Sequence, residues 1–335
     1  MTTTSQANPV RGGGHRAPAP PRAHRPSRRS RRVGRLTPYV LLLPGLLIIA
    51  GLLLYPMYQL LVMSTQKVGL RQIRGAEADS VGAENYERIL TSEVFWSSLR
   101  NTIVFAAVAV TLTLLVGTLV GILLNKLGKR MSTAVVVSAM LAWATPQAAV
   151  AVLWRWLFDE QSGVANRAFD LLPDWLSELL FGRADWTGYT WFLESFPTYV
   201  VLTLCVVWAS FPFIAVSVLA GLRSIPGELH EAARMDGAGA WRAFWRVTFP
   251  MLRPVFSVLV VLSIIWDFKV FTQLYILANG MGNKEVFNLS LYAYAEAFSS
   301  PPAMGMGSAI AVVLTVILLI ITGVYVRQIV RQEEV

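Results

Sequence analysis

The chain turns on one interval, RSIPGELHEAARMDGAGAWRAFWRVTFPMLRP, from Arg223 to Pro254. It is the longest polar interval between two strongly apolar runs in the C-terminal half. Pro226 suits the first turn of a helix, where a missing N–H costs nothing. Glu228 and Glu231 follow close to that N-terminus, where the helix dipole favours anions. Asp236-Gly237 is a stop signal, because glycine takes the left-handed cap conformation readily. A second short helix is expected from about Gly239 to Val247, closed by Phe249-Pro250. On it Trp241, Phe244 and Trp245 share one face, and Arg242 and Arg246 share another. The interval reads as helix, glycine turn, helix.

The apolar runs on either side set the class. The chain has 335 residues, 55% of them hydrophobic and 15% charged, and a mean hydropathy of +0.52. Soluble domains carry about 25% charged residues, so this composition is that of an all-α polytopic membrane protein. The net charge of +9 is local. Arg11, Arg16, Arg22, Arg25, Arg28, Arg29, Arg31, Arg32 and Arg35 precede Thr37 without one acid. Residues 1–36 therefore read as a disordered basic tail, held in the cytoplasm near anionic lipid rather than bound to nucleic acid. Cys205 stands alone, which excludes an intramolecular disulfide and a cysteine metal site.

Six spans are expected over residues 37–335. They lie at about Pro38–Met63, Asn101–Leu124, Ser132–Leu157, Thr198–Leu222, Val255–Leu277 and Met304–Val326, each near the 20 residues a bilayer requires. The first run is longer than the apolar core of a signal peptide and has no clear cleavage site, so it reads as a retained span. Thr145-Pro146-Gln147 should kink the third. The short basic loops, Lys126 to Arg130 and Arg223 to Arg253, share one side with Arg327 and Arg331. The acidic interval from Phe158 to Phe196 lies on the other. Both termini are then cytoplasmic.

Catalytic patterns fail on inspection. His230-Glu231-Ala232-Ala233-Arg234 begins like a two-histidine zinc helix but has arginine where the second ligand belongs. Gly128-Lys129-Arg130 lacks the first glycine and the Ser/Thr of a phosphate-binding loop. No catalytic residue and no metal site is assigned. Inside the membrane, Trp266-Asp267-Phe268-Lys269 is the sharpest signal, since charges there are costly and face a cavity or a partner. With Phe271, Gln273 and Tyr275 nearby, it combines the aromatic faces and polar groups that suit a sugar. The other reading is a structural ion pair.

Glu231-Ala232-Ala233, then Asp236-Gly237-Ala238, then Phe249-Pro250, resembles the coupling loop of ABC importer permeases. The fuller run with Trp241, Phe244 and Pro254 is similar to the carbohydrate-uptake branch, the family of the maltose-importer membrane subunits. The resemblance covers the chain from about Pro38 onward and leaves out the tail. It implies a permease subunit in the cell membrane, with a cytoplasmic helix-turn-helix coupling loop over 223–254. It also implies a second, similar permease, two ATP-binding subunits docked at that loop, and an external solute-binding protein. This chain would hold no cofactor, and ATP and Mg would sit on the partners. The implied cargo is a disaccharide or oligosaccharide, with trehalose suggested by the Arg/Pro-rich tail. Other polar solutes, and an ion-coupled secondary transporter, remain as alternatives.

Overall fold

The computed structural model describes residues 1–3 and 28–333, with the side chains of residues 1–3, 39–72 and 74–327. The expectation for the tail falls largely on residues 4–27, outside the described residues. At Arg28 the chain is already helical: α1 runs Arg28–Ser64, ahead of the expected boundary near Thr37. Arginine and leucine are both strong helix formers. By its contacts the chain divides into Met1–Pro56 and Met57–Val335. In the first unit Leu41, Leu46, Leu52 and their neighbours are all exposed, as on a helix that is apolar all round.

In the second unit, strands β1 (Gln66–Lys67) and β2 (Asp79–Ser80) pair antiparallel, Gln66 opposite Ser80. Between them lies α2 (Leu70–Ile73), and after them α3 (Glu84–Leu90). Asn85 fixes this corner by donating to the carbonyls of Ser64 (2.9 Å) and Gln66 (3.0 Å). The rest is helical: α4 (Glu93–Lys126), α5 (Lys129–Trp143), α6 (Gln147–Leu157), α7 (Val164–Phe169), α8 (Asp174–Phe181) and α9 (Ser195–Ser224). Then come α10 (Gly227–Met235), α11 (Ala240–Ala243), α12 (Phe249–Phe268), α13 (Thr272–Leu277), α14 (Leu289–Phe298) and α15 (Met304–Glu333).

Among the described residues, five helices are long and apolar enough to cross a membrane, and the bent pair α5–α6 makes a sixth if it is one span. The expected kink at Pro146 is a bend of 91°. Proline cannot donate the bond that would carry the helix through, and it pushes Thr145 out of the helical region.

The helices α4 and α9 form the spine. Gly117 and Gly121, four apart on α4, face α9 so closely that a Cβ on Gly117 would lie 2.5 Å from Ile214 Cβ. One on Gly121 would lie 2.9 Å from the Ala215 carbonyl oxygen. Small residues at this spacing let two backbones approach within a membrane. Phe105, Ala106 and Ala109 continue the core alongside Val201 and Leu202, all buried. Between α6 and α9 the acidic interval is a folded unit of aromatic rings. Phe169 stacks on Trp186 at 4.7 Å, Trp186 on Trp191 at 5.4 Å, and Phe158 meets Trp191 edge-on at 5.1 Å. Asn166 accepts from Trp191 Nε1 (2.6 Å) and Ser177 from Trp186 Nε1 (2.8 Å).

Candidate functional site

Two places concentrate polar groups among the described helices: the loop after α9 and a cavity at the broken spans.

In the loop, Pro226 is the cap before α10 rather than its first residue. The helix α10 ends as its sequence implies. Gly237 takes φ +72°. The Ala238 N–H donates to the Ala233 carbonyl (2.9 Å) and the Gly237 N–H to the Arg234 carbonyl (3.0 Å). This paired closure satisfies the last carbonyls of the helix. Glu231, Ala232, Asp236 and Gly237 are exposed, whereas Ala233 is buried and Ala238 half-buried. Met235 is 88% exposed.

The second short helix differs from expectation. Phe249-Pro250 does not end it. The chain passes from α11 through a wider π turn, Phe244–Thr248, directly into α12, with Pro250 in the first turn of that helix. The Phe249 N–H reaches back five residues to the Phe244 carbonyl. A π turn inserts one extra residue, and here it lies immediately ahead of Pro250, which has no N–H to donate. The aromatic face is as expected and extends further. Trp241 meets Trp245 at 5.7 Å, Trp245 meets Phe249 at 4.9 Å, and Phe249 meets Phe256 at 5.6 Å.

The cavity, of about 370 Å³, opens where two spans are interrupted. One interruption is Ala144–Pro146, between α5 and α6. The other is Lys269–Phe271, between α12 and α13. Irregular backbone at membrane depth is tolerated where protein groups or a cavity satisfy it. Here Asn288 donates to the Val270 carbonyl (2.6 Å) and Ser290 to the Phe268 carbonyl (3.2 Å). Asn288 is fully buried and its Oδ1 also caps α14 by accepting from the Leu291 N–H (2.8 Å).

Of the residues singled out in the sequence, Trp266, Asp267, Lys269, Phe271 and Gln273 line this cavity. Tyr275 does not. It packs instead on Phe271 (5.5 Å) and Tyr294 (5.7 Å). Asp267 is 4% exposed and Lys269 is exposed. Asp267 and Lys269 do not share a helix. The helix stops at Phe268, which leaves Lys269 in the break, and among the described residues the ion pair present is Arg88–Glu84. Trp143, Gln147, Val206 and Ser210 also line the cavity. They come from spans that the intramembrane charges alone do not indicate. Asn288 is likewise missed, although asparagine ahead of an apolar run is a helix-start signal.

At the other end of α6, Arg155 Nη1 donates to the carbonyls of Ile276 (2.6 Å) and Leu277 (3.0 Å). Just beyond it the Asp159 carboxylate accepts from the Ser162 N–H (2.8 Å), the Ser162 hydroxyl (2.8 Å) and the Gln161 N–H (3.1 Å). These bonds, those from Ser162 first, hold its pKa below the ordinary carboxylate value.

A set of long apolar helices, two of them interrupted at a polar cavity, with a capped helix-turn-helix between two of them, defines a multi-pass membrane transport component. The chain belongs to the family of binding-protein-dependent transport system inner membrane components, whose model matches residues 115–333. It is 39% identical over 308 residues to the diacetylchitobiose uptake system permease protein DasB of Streptomyces coelicolor, covering 92% of this chain and 91% of that one. It is 30% identical over 254 residues to the trehalose/maltose transport system permease protein MalF of Thermococcus litoralis, covering 75% and 80%. The fold matches a chain of the bacterial alginate ABC transporter crystallised with an alginate pentasaccharide-bound periplasmic protein. There the TM-score is 0.70 at 20% identity, over 89% of this chain and 96% of that one.

Proposed function

We propose that this chain is the membrane-spanning subunit of a sugar importer that works by alternating access. ATP hydrolysis in partner subunits supplies the work. The observation that carries the reading is the cavity at the two interrupted spans. Transporters place polar solutes where discontinuous helices expose backbone and side-chain groups near the bilayer midplane. Trp143, Trp266 and Phe271 offer faces for sugar C–H groups, and Asp267, Gln147 and Gln273 offer hydrogen-bonding groups for hydroxyls. Diacetylchitobiose, trehalose and maltose, named for two relatives, make a disaccharide the first class to test, and trehalose is one member of it.

The exposed face of α10, with Glu231 and Ala232, docks on an ATP-binding subunit, and ATP and Mg belong to that subunit. Asp236, Gly237 and Ala238 form the turn that aims this helix, and Ala233 closes it. Phe249 and Pro250 continue the second helix into α12, so a push on the loop passes directly to the cavity. The assembly contains a second, similar permease, two ATPase subunits and an external binding protein. Residues 37–335 are the permease domain, and both termini are cytoplasmic. Reporters fused at residue 335 and within 65–98 should give opposite signals.

The test is uptake by the assembled complex in proteoliposomes with ATP inside and a loaded binding protein outside. Disaccharide uptake that requires ATP supports the reading. Uptake driven by an ion gradient without ATP would favour a secondary transporter.

A further inference from the structure

The half-helices α6 and α13 lie side by side and are joined at both ends. At the cavity, Gln273 Nε2 donates to Gln147 Oε1 (2.6 Å). At the far end, the single Nη1 of Arg155 reaches the last two carbonyls of α13. Gln147 and Arg155 are eight residues apart, about 12 Å along the helix. Each half-helix is separated from the rest of its own span by a break, Ala144–Pro146 in one case and Lys269–Phe271 in the other. The side-chain bonds therefore run across from one half-helix to its neighbour. Breaks of this kind are where φ and ψ absorb a hinge motion.

We propose that α6 and α13 pivot as one clasped unit to close the cavity, with Arg155 the positioning residue that keeps their far ends together. The inference rests on the transporter reading. It assigns a role to Arg155 that its distance from the cavity lining hides. Lysine holds the contact less well, because its ammonium is strongly hydrated and sits on a flexible stem, whereas the planar guanidinium loses less freedom for each hydrogen bond it forms. The clasp is open to reagents. Arg155 borders a second cavity of about 400 Å³, shared with Asp159, Trp191 and Asn279. The one cysteine, Cys205, is buried, so it does not compete for them.

The experiment uses the complete complex in proteoliposomes and reads sugar imported per ATP hydrolysed. Arg155→Ala should lower uptake about tenfold, as for loss of two half-buried hydrogen bonds from a charged donor. ATP hydrolysis should fall much less, so each imported sugar uses more ATP. Arg155→Lys should lie closer to Arg155→Ala than to wild type. The pair Arg155→Cys with Ile276→Cys should resemble Arg155→Ala, and a short bis-methanethiosulfonate bridge should restore most uptake until it is reduced. A bridge that stops uptake would show that the two helices must part, and would overturn the proposal. So would an unchanged ratio in Arg155→Ala, or a fall in uptake matched by the loss of recovered complex. If wild type shows no ATP-dependent uptake, the transporter reading itself fails.

Discussion

Gln273 and Gln147 are 126 residues apart in sequence and hydrogen-bonded at 2.6 Å. Each stands in the first turn of a helix that restarts after a break. Their contact bridges the two interruptions, and the buried Asp267 lines the same cavity together with Lys269. From this follows the expectation for the charges. Asp267→Ala and Lys269→Ala should each lower sugar uptake, by about tenfold or more where a substrate hydroxyl loses its partner, while the complex still assembles. Radiolabelled uptake and co-purification of the ATPase check this. If both variants abolish assembly, the two charges are structural.

Asn288 holds the second break open. Asn288→Ala should remove the cap of α14, about 1 kcal/mol. It should also leave the Val270 carbonyl without its donor, a further ~1–3 kcal/mol. A lowered unfolding temperature in detergent, with Asn288→Asp falling between alanine and wild type, is the expected result.

Much of this was legible in the sequence. The apolar runs mark the long helices because a membrane imposes a length and a composition on each span. The glycine turn is legible because Gly237 takes a φ that side chains with a Cβ resist. Pro250 misled, since the π turn that accommodates it depends on backbone geometry with no residue signature of its own. Tyr275 misled for a different reason. It is near Asp267 in sequence but lies on the helix that restarts after the break at Lys269–Phe271, where its ring packs on Phe271 and Tyr294. Gln147 and Arg155 were invisible as a pair of clasps because their partners belong to another span, and sequence spacing does not report contacts of that range.

The α4–α9 seam should tolerate no added volume. A Cβ on Gly117 would lie 2.5 Å from Ile214 Cβ, so Gly117→Val must push the two helices apart. Overpacking of this kind costs ~1–3 kcal/mol. The yield of monodisperse protein in detergent should fall, and Ile214→Ala should recover part of it. No loss in Gly117→Val would mean that the seam is looser than described.

Asp159 gives a pH dependence with a definite sign. Its folded pKa is lowered by the bonds from Ser162 and Gln161. The stabilisation is therefore present above the ordinary aspartate pKa and is lost as pH falls through the lower, folded value. Asp159→Asn should be less thermally stable than wild type at neutral pH. The difference should shrink as the solution is acidified below the carboxylate range, read by melting curves of the two proteins at matched pH.

On the proposed function, the α10 turn carries the ATPase stroke to the cavity. Gly237 sits at φ +72° with open space around it, so a valine there meets backbone strain rather than a steric clash with neighbours. The left-handed conformation costs roughly 1–2 kcal/mol for a residue with a Cβ, and α10 should lose its aim. The direct measurement is sugar-stimulated ATPase and uptake of the Gly237→Val complex against wild type, in lipid, with loaded binding protein. Insertion and assembly should be normal, uptake should fall steeply, and the sugar-stimulated part of ATP hydrolysis should be lost with it. Wild-type uptake and stimulation in that complex would contradict it.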